Sequence, residues 1–570
     1  MIDFRPRILD SFRGYDGRLF AGDAMAGTIV ALVAALPLAL AFAIASGVSP
    51  EVGLLSAIVG GGLIALLSGS KVQIGGPTGS FIVIAYAVLQ THGLQGLMLA
   101  TLMAGVMLIA MGVLKLGTLI KYMPYPVVIG FTAGMAVIIA STQVNELLGL
   151  GLTNIPADFL DKWSLYLSNL ERIDWPTLAV GLATIAIIEL SPRITKAIPG
   201  ALVALVLMTL SVYALRTYTD LDSIATIGDR FSISGTLPPL QLPRLDFLLM
   251  AKLVEPAFSI ALLAVIESLL TARIVDGMIG DKHSPNTELI ALGIANIAVP
   301  FIGGLPVTGA TARTMTNVNN GGRTPMAGII HALVLLLSFL WLMPLVSYIP
   351  MAALGGVLMV VAINMSGWRT IRNMLRGPKM GSIVLLTTLF FTVFGSLLFA
   401  LETGILLSMI FIIKRMIDAT SISVARDTLG VNSKNDDVIH TDTEHLDLPQ
   451  GVEVYELEGP FFFGTASGFE EQMEMALRSE GRVQSKVCIL RMRFVPFMDS
   501  TAIHNLEDLY INLSKQGARL ILSGVNERVL GTLQGSGLSA LIGEEYICRD
   551  IHRALEVASK YLQEQTEAAQ

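Results

Sequence analysis

The sequence predicts an all-α polytopic membrane domain of about fourteen segments, arranged as two related halves of seven, followed by a small α/β domain. Three observations carry this. The 570 residues are 53% hydrophobic and only 15% charged, too little charge to cover a soluble body of that size. Apolar stretches near the ~20 residues that span a bilayer follow one another as far as Lys414-Arg415. After that point the hydropathy collapses and short strand-like and helix-like runs alternate.

Taken in order, the long apolar segments fall at 25–47, 53–67, 94–114, 124–142, 177–190, 201–215, 257–278, 327–345, 349–365, 383–400 and 403–413. Three shorter ones, 76–89, 289–303 and 309–318, are broken by Gly and Pro. The start, Met1-Ile2-Asp3-Phe4-Arg5-Pro6-Arg7, lacks a short apolar region ending in a small-residue cleavage site, so no cleaved signal peptide is expected. Of Lys71, Lys115, Lys121, Arg193, Lys196, Lys282, Arg323, the Arg369 to Lys379 cluster and Lys414-Arg415, most fall on one side if the N-terminus is cytoplasmic and the half-helices count as crossings. An even number of crossings then returns the C-terminus to the cytoplasm and leaves 145–175 and 217–245 outside. The two cysteines, Cys488 and Cys548, supply no disulfide framework. A net charge of -7 says little about partners in a membrane chain beyond the lipid itself.

The expected divisions are a cytoplasmic segment 1–20, a transmembrane domain 21–418, a linker 419–450 with Asn435-Asp436-Asp437 at its middle, and a soluble domain 451–565. In the last, 452–457, 487–492 and 519–523 read as strands, 468–478, 502–515 and 549–562 as helices, and 525–535 as a helix opening. That alternation predicts a layered α/β domain with a partly parallel sheet.

The two membrane halves share an order: a long helix with a mid-span anomaly, a second helix, a Gly/Pro break with a short helix, then four more spans. The anomaly is Pro37 in the first half and Glu267 in the second. Seven is odd, so the second half enters from the opposite side and the repeat is inverted. The breaks are Gly75-Gly76-Pro77-Thr78-Gly79 and Gly303-Gly304-Leu305-Pro306-Val307-Thr308-Gly309. Broken backbone within a bilayer is tolerated only where protein or a wet cavity satisfies it. Paired breaks predict a substrate site near the midplane, where half-helix N-termini converge on an anion.

Glu267 sits mid-way along an uninterrupted span, where a charge costs ~2.5–3.5 kcal/mol. It must be paired, wet or protonated. It is the candidate coupling residue for a proton, with sodium as the other cation that fits; the alternative role is a carboxyl bonded to a neighbouring broken helix. Arg313 stands four residues after Gly309 and either adds positive charge for an anion or pairs with Glu267. Thr78, Ser80, Thr308 and Thr311 offer hydroxyls beside free N–H groups, which suit an oxyanion, although such hydroxyls also bond their own helix carbonyls. Phe42 presents an aromatic edge or simply packs. Glu189, Glu402 and His331 read as snorkelling or packing residues. In the soluble domain, Asp499-Ser500 precedes a helix as an N-cap does, and Ser500 is also a candidate regulatory serine. The sequence carries no nucleotide loop, zinc spacing, catalytic triad motif or basic nucleic-acid stripe. No enzyme activity, cofactor, metal or nucleic-acid partner is expected.

Leu36-Pro37-Leu38-Ala39-Leu40-Ala41-Phe42-Ala43, Gly75-Gly76-Pro77-Thr78, Ile266-Glu267-Ser268-Leu269-Leu270 and Asn319-Asn320-Gly321-Gly322-Arg323-Thr324 resemble the sulfate permease (SulP) family. The C-terminal part resembles a STAS domain, with Asp499-Ser500-Thr501 where related antagonists are phosphorylated. The resemblance implies fourteen segments in a seven-plus-seven inverted repeat, a core domain moving against a gate domain in an elevator-like cycle, a homodimer and an anion site between the half-helices. It places Phe42, Thr78, Gly79, Gly309, Ala310, Thr311 and Arg313 at the substrate and Glu267 with Thr271 at the coupling ion. A sodium-coupled bicarbonate branch carries Asp where this chain has Glu267, which favours protons. Leu38 and Ala312 replace the Gln and Ser common in eukaryotic relatives, which disfavours halide exchange. The stretch Asp276-Gly277-Met278-Ile279-Gly280-Asp281-Lys282-His283 resembles a bacterial branch importing C4-dicarboxylates such as succinate and fumarate. Sulfate and bicarbonate stay open as substrates. A channel-like or sensor protein with the STAS domain as output is the alternative class, and a cytoplasmic regulator of that domain is a candidate partner.

Overall fold

In the computed structural model, which describes residues 4–568 apart from 12–13, 195–198, 220–222, 234, 426–427, 430–445, 466–467 and 470–485, the chain forms two units, Met1–Ser408 and Met409–Gln570. The first is helical and opens with α1, Gly17–Ala45, which Asp16 caps by accepting from the Leu19 N–H at 2.8 Å. Pro37 has no N–H to give the carbonyl four residues back. The ladder widens instead into π turns over Val30–Ala35, so the anomaly expected at Pro37 is a local change of helix type.

The remaining helices are α2 (Pro50–Leu67), α3 (Gly79–Val113), α4 (Tyr125–Leu148), α5 (Trp175–Arg193), α6 (Gly200–Thr219), α7 (Val254–Ile279) and α8 (Pro285–Ile302). After them come α9 (Thr311–Asn319), α10 (Met326–Val346), α11 (Met351–Leu375), α12 (Lys379–Phe394) and α13 (Leu397–Asp418). Eleven of the described helices are long and apolar enough to cross a membrane. Two of the fourteen expected segments are one helix here: α3 runs through both, and Gly93 divides it at φ 66°. Proline in the first turn starts α2, α4 and α8, where its missing N–H costs nothing. Two short strands, β1 (Gly75–Gly76) and β2 (Thr308–Gly309), interrupt the helices at the breaks.

Packing follows the repeat. Helix α2 lies on α10 as α8 lies on α3, α1 on α10 as α7 on α3, and α4 on α12 as α11 on α5. The helices thus sort into a group of α1–α3 and α7–α10 and a second group that includes α4–α6, α11 and α12. Where α3 meets α8, a Cβ on Gly105 would reach 2.7 Å from the Gly293 carbonyl, and one on Gly293 would reach 2.6 Å from the Gly105 carbonyl. The two backbones touch, and only a glycine pair permits it.

The second unit contains a five-stranded sheet of β3 (Ser421–Ala425), β4 (Val452–Glu458), β5 (Val487–Phe494), β6 (Arg519–Ser523) and β7 (Ile547–Cys548), in that spatial order. Strand β3 is antiparallel to β4 and the rest are parallel. The segment expected as linker therefore contributes the edge strand. Alternate residues face opposite ways. Tyr455, Leu490 and Leu520 pack on α14 (Ser500–Lys515) and α15 (Glu527–Gly535), while Val454, Ile489 and Ile521 pack on α16 (Ile551–Ala568). All but 468–469 of the helix expected at 468–478, and the connector centre at Asn435-Asp436-Asp437, lie outside the described residues.

Candidate functional site

The two breaks meet. Gly75 pairs with Gly309 and Gly76 with Thr308 in an antiparallel ladder, so the segments expected to converge do so backbone to backbone. Around them the broken ladder is repaired group by group, as an apolar medium demands. The Ala310 N–H donates to the Ile74 carbonyl at 2.9 Å, and the Ile74 N–H to Thr314 Oγ1 at 3.1 Å. Asn296 takes the Val307 N–H at 2.9 Å and gives its amide back to the Val307 carbonyl at 2.8 Å. The Leu305 N–H donates to Ser56 Oγ at 2.8 Å. Helix α3 opens at Gly79 and α9 at Thr311. The first N–H groups of each helix have no intrahelical acceptor, and the dipoles make both ends attractive to negative charge.

Arg313 is 1% exposed. Its Nη2 donates to the Pro77 carbonyl at 3.1 Å, while Nη1 has no hydrogen-bond partner. Nη1 occupies the space a Cβ on Gly76 would need, and Gly76 sits at φ 149°. Only glycine meets both conditions. Glu267, half-buried on α7, accepts from Thr78 Oγ1 at 2.9 Å, with Ser80 and Arg313 close enough to act on its charge. No direct ion pair joins Arg313 to Glu267 among the described contacts. The Thr271 and Thr311 hydroxyls share a hydrogen bond at 2.5 Å. A Cβ on Gly79 would lie 3.3 Å from Phe42 Cε1 and 3.4 Å from Ile139 Cδ1, so α1, α3 and α4 close around that helix end.

The profile of the sulfate permease family matches residues 20–388. The chain belongs to that family. The STAS domain profile matches residues 446–556 of this permease-family chain. Relatives include the Bacillus subtilis (strain 168) protein named "Putative sulfate transporter YvdB", 37% identical over 95% of this chain and 98% of its own. A second is the "Bicarbonate transporter BicA" of Picosynechococcus sp. (strain ATCC 27264 / PCC 7002 / PR-6), 31% identical over 81% of each chain. Among solved structures, the transmembrane domain of a cyanobacterial BicA aligns over 69% of this chain and 98% of its own, with TM-score 0.60 and 32% identity. The structure of SLC26A9 aligns over 98% of this chain and 93% of its own with TM-score 0.82 at 17% identity, which shows the shared fold. The Bacillus and cyanobacterial relatives are named as transporters rather than enzymes.

Several expected site residues are engaged in structure. Thr308 Oγ1 donates to the Ala264 carbonyl at 2.9 Å, and the Ala310 N–H is already bonded. Gly309 leaves no room for a side chain because Gln73 and Ser268 fill the space above it. His331 is buried, and neither ring nitrogen has a partner. The stretch Asp276 to His283 folds on itself: Asp276 accepts the His283 N–H at 3.0 Å and meets its Nδ1 at 2.6 Å. It shapes the α7–α8 turn. Ser500 is exposed at the first position of α14, while Asp499 accepts from the Ala502 N–H at 2.9 Å and the Phe463 N–H at 3.0 Å.

Sequence reasoning missed Glu288. It is fully buried and accepts from Ser68, from the Gly69 N–H at 2.9 Å and from Ser268 Oγ at 3.1 Å. The expected start of this helix at Leu289 left Glu288 looking like a flanking residue. Asp23 was also missed. It accepts from the Arg323 and Thr324 N–H groups at 2.8 and 3.1 Å, which fixes the turn that follows α9.

Proposed function

We propose that this chain is a secondary active transporter that moves a small anion across the membrane, coupled to a proton at Glu267. The observation that carries it is Arg313 Nη1, a buried cationic donor without a partner, set between the N-terminal ends of two helices that point into one place. An anion completes that set. Glu267, on α7, is bonded to the first break through Thr78, so its charge and the occupancy of the anion site act on the same helix end. Protonating Glu267 removes a competing negative charge from the field of Arg313. That is the basis of symport.

The relatives' names support sulfate or bicarbonate, and succinate and fumarate form a third arm. The substrate-contacting set is Phe42, Thr78, Gly79, Thr311 and Arg313, with Gly309 and Ala310 shaping the backbone beneath it and Thr271 beside the coupling carboxyl. Separate packing of two helix groups supports an elevator-like motion of one group against the other. We place the protein in the inner (plasma) membrane with both termini cytoplasmic, as a homodimer whose STAS domain, through Ser500, receives a regulator.

The test is a competition panel in proteoliposomes under an inward pH gradient, with sulfate, bicarbonate, succinate, fumarate and chloride, repeated under a sodium gradient. The reading requires accumulation of one anion above its external concentration, driven by protons. Equilibration without accumulation would show passive movement only and end it.

A further inference from the structure

A polar cavity of about 180 Å³ lies beyond the paired breaks, and Ala45, Tyr86, Thr142, Glu146, Lys162 and Tyr166 are among the residues that line it. Its position follows from the helices that build the first site. Phe42 and Ala45 lie one turn apart on α1, and Ile139 and Thr142 one turn apart on α4. On α3, Gly79 and Tyr86 are separated by about 10 Å at 1.5 Å per residue. The cavity therefore stands next outward along the same three helices. It lies on the side of the membrane that carries the α4–α5 connection, roofed by the helix Phe159–Ser168.

Most polar groups in that wall are committed to holding it. Tyr86 donates to the Ile155 carbonyl at 2.7 Å. Asn145 takes the Leu152 N–H at 3.0 Å. Asp158 caps the roof helix through the Leu160 and Asp161 N–H groups at 2.9 and 3.2 Å. Glu146 is paired with Arg230 at 2.7 Å, so its charge is answered, although its Oε2 is free. Two donors remain. Lys162 is 2% exposed and forms no hydrogen bond or ion pair with any described residue; burial holds its ammonium below the ordinary lysine range, against the longer-range pull of Asp158. Tyr166 is 1% exposed and its hydroxyl has no partner. A buried ammonium and a buried hydroxyl left unpaired beside a polar cavity are costly unless something fills them. The volume is far above the ~10–15 Å³ a single water requires.

We infer that Lys162 and Tyr166 form an outer receiving site for a small oxyanion, from which it passes along α1, α3 and α4 to Arg313. The place of this site in a transport path rests on the proposed function, whereas the binding itself does not. Trp163 adjoins Lys162 in sequence and stands edge-on to Tyr166 at 6.1 Å, which makes it a built-in reporter. The other three tryptophans, Trp175, Trp341 and Trp368, are all exposed and are replaced by Phe in the test protein.

Sulfate, titrated into this purified full-length protein at ionic strength held constant with gluconate, is expected to change Trp163 emission saturably. Lys162→Met abolishes the change, Lys162→Arg retains it, and Tyr166→Phe raises the half-saturating sulfate about threefold or more. Arg313→Gln loses transport and keeps the titration, because the two sites are separate. An unchanged titration in Lys162→Met, no saturable change in the parent protein, or its loss in Arg313→Gln would overturn the inference. Should Lys162→Met fail to fold, Tyr166→Phe decides, since removing one hydroxyl leaves the packing intact. Absent uptake of any tested anion by the wild-type chain would instead sink the transport reading, with the Trp163 titration still deciding this site.

Discussion

Thr78 donates its hydroxyl to Glu267 at 2.9 Å, a bond that ties the break of the first half to the long helix opening the second. A hydrogen bond to a charged partner contributes about 1.5–3 kcal/mol. Thr78→Val removes it without changing side-chain shape. The expected result is a loss of about tenfold or more in proton-driven uptake rate per protein at saturating anion, with Thr78→Ser near wild type. Initial uptake rates across a pH series check both.

Gly76 and Gly93 both have positive φ, yet they predict different outcomes. A methyl on Gly76 meets the Arg313 guanidinium, whereas one on Gly93 meets nothing within 4 Å. Gly76→Ala is expected to displace Arg313 and cut uptake by more than tenfold. Gly93→Ala meets only backbone strain, since φ 66° with ψ -172° is a region essentially confined to glycine and costs about 1–3 kcal/mol, and it keeps uptake. Thermal denaturation and transport measured on both proteins separate the local effect from general destabilisation.

Much of this was legible in the sequence for a definite reason. Helices in a bilayer must satisfy their own backbone, so Gly and Pro at 75–79 and 303–309 stood out as sites needing outside partners, and the structure supplies those partners by name. Glu267 was legible because mid-span charge is rare. What was hidden is long-range. Nothing local marks Asn296 as the clamp on Val307, Ser56 as the acceptor for Leu305, or Glu288 as the acceptor for Ser68 and Ser268, since each partner lies far away in sequence or across a turn. Strand β3 was hidden for another reason: its five residues sit in a stretch read as polar connector, and only pairing with β4 makes them a strand.

Lys71 and Asp281 pair at 2.7 Å near the α7–α8 turn. Burial is the largest single influence on the Asp281 carboxyl and raises it, but the Lys71 hydrogen bond, the Lys282 N–H and the charges of Lys71 and Arg7 together outweigh it, so the net result lies below the usual range. A carboxyl lowered on folding stabilises above its unfolded value of about 3.9 and loses that contribution as pH falls through its folded value. The pair is about a third exposed, so the effect is at most about 1 kcal/mol. Asp281→Asn is expected to lower the Tm by about a degree at pH 7, and the difference from wild type should shrink as pH falls below about 3.9 and vanish once pH is below the folded carboxyl's own lowered value.

Cys488 and Cys548 are buried, and burial pushes both thiols up, away from the reactive thiolate. The native protein should therefore resist maleimide. Ala312, exposed on the first turns of α9 beside Arg313, should label readily when changed to Cys, and bound sulfate should slow that labelling several-fold. Mass-spectrometric counting of labelled sites reads both results.

Glu267→Gln tests the central claim most directly, in proteoliposomes loaded with the transported anion and assayed two ways. The account predicts that accumulation driven by an inward pH gradient is lost, while exchange of labelled for unlabelled anion, which needs no net proton movement, continues. Accumulation that still follows the pH gradient in this variant would contradict it.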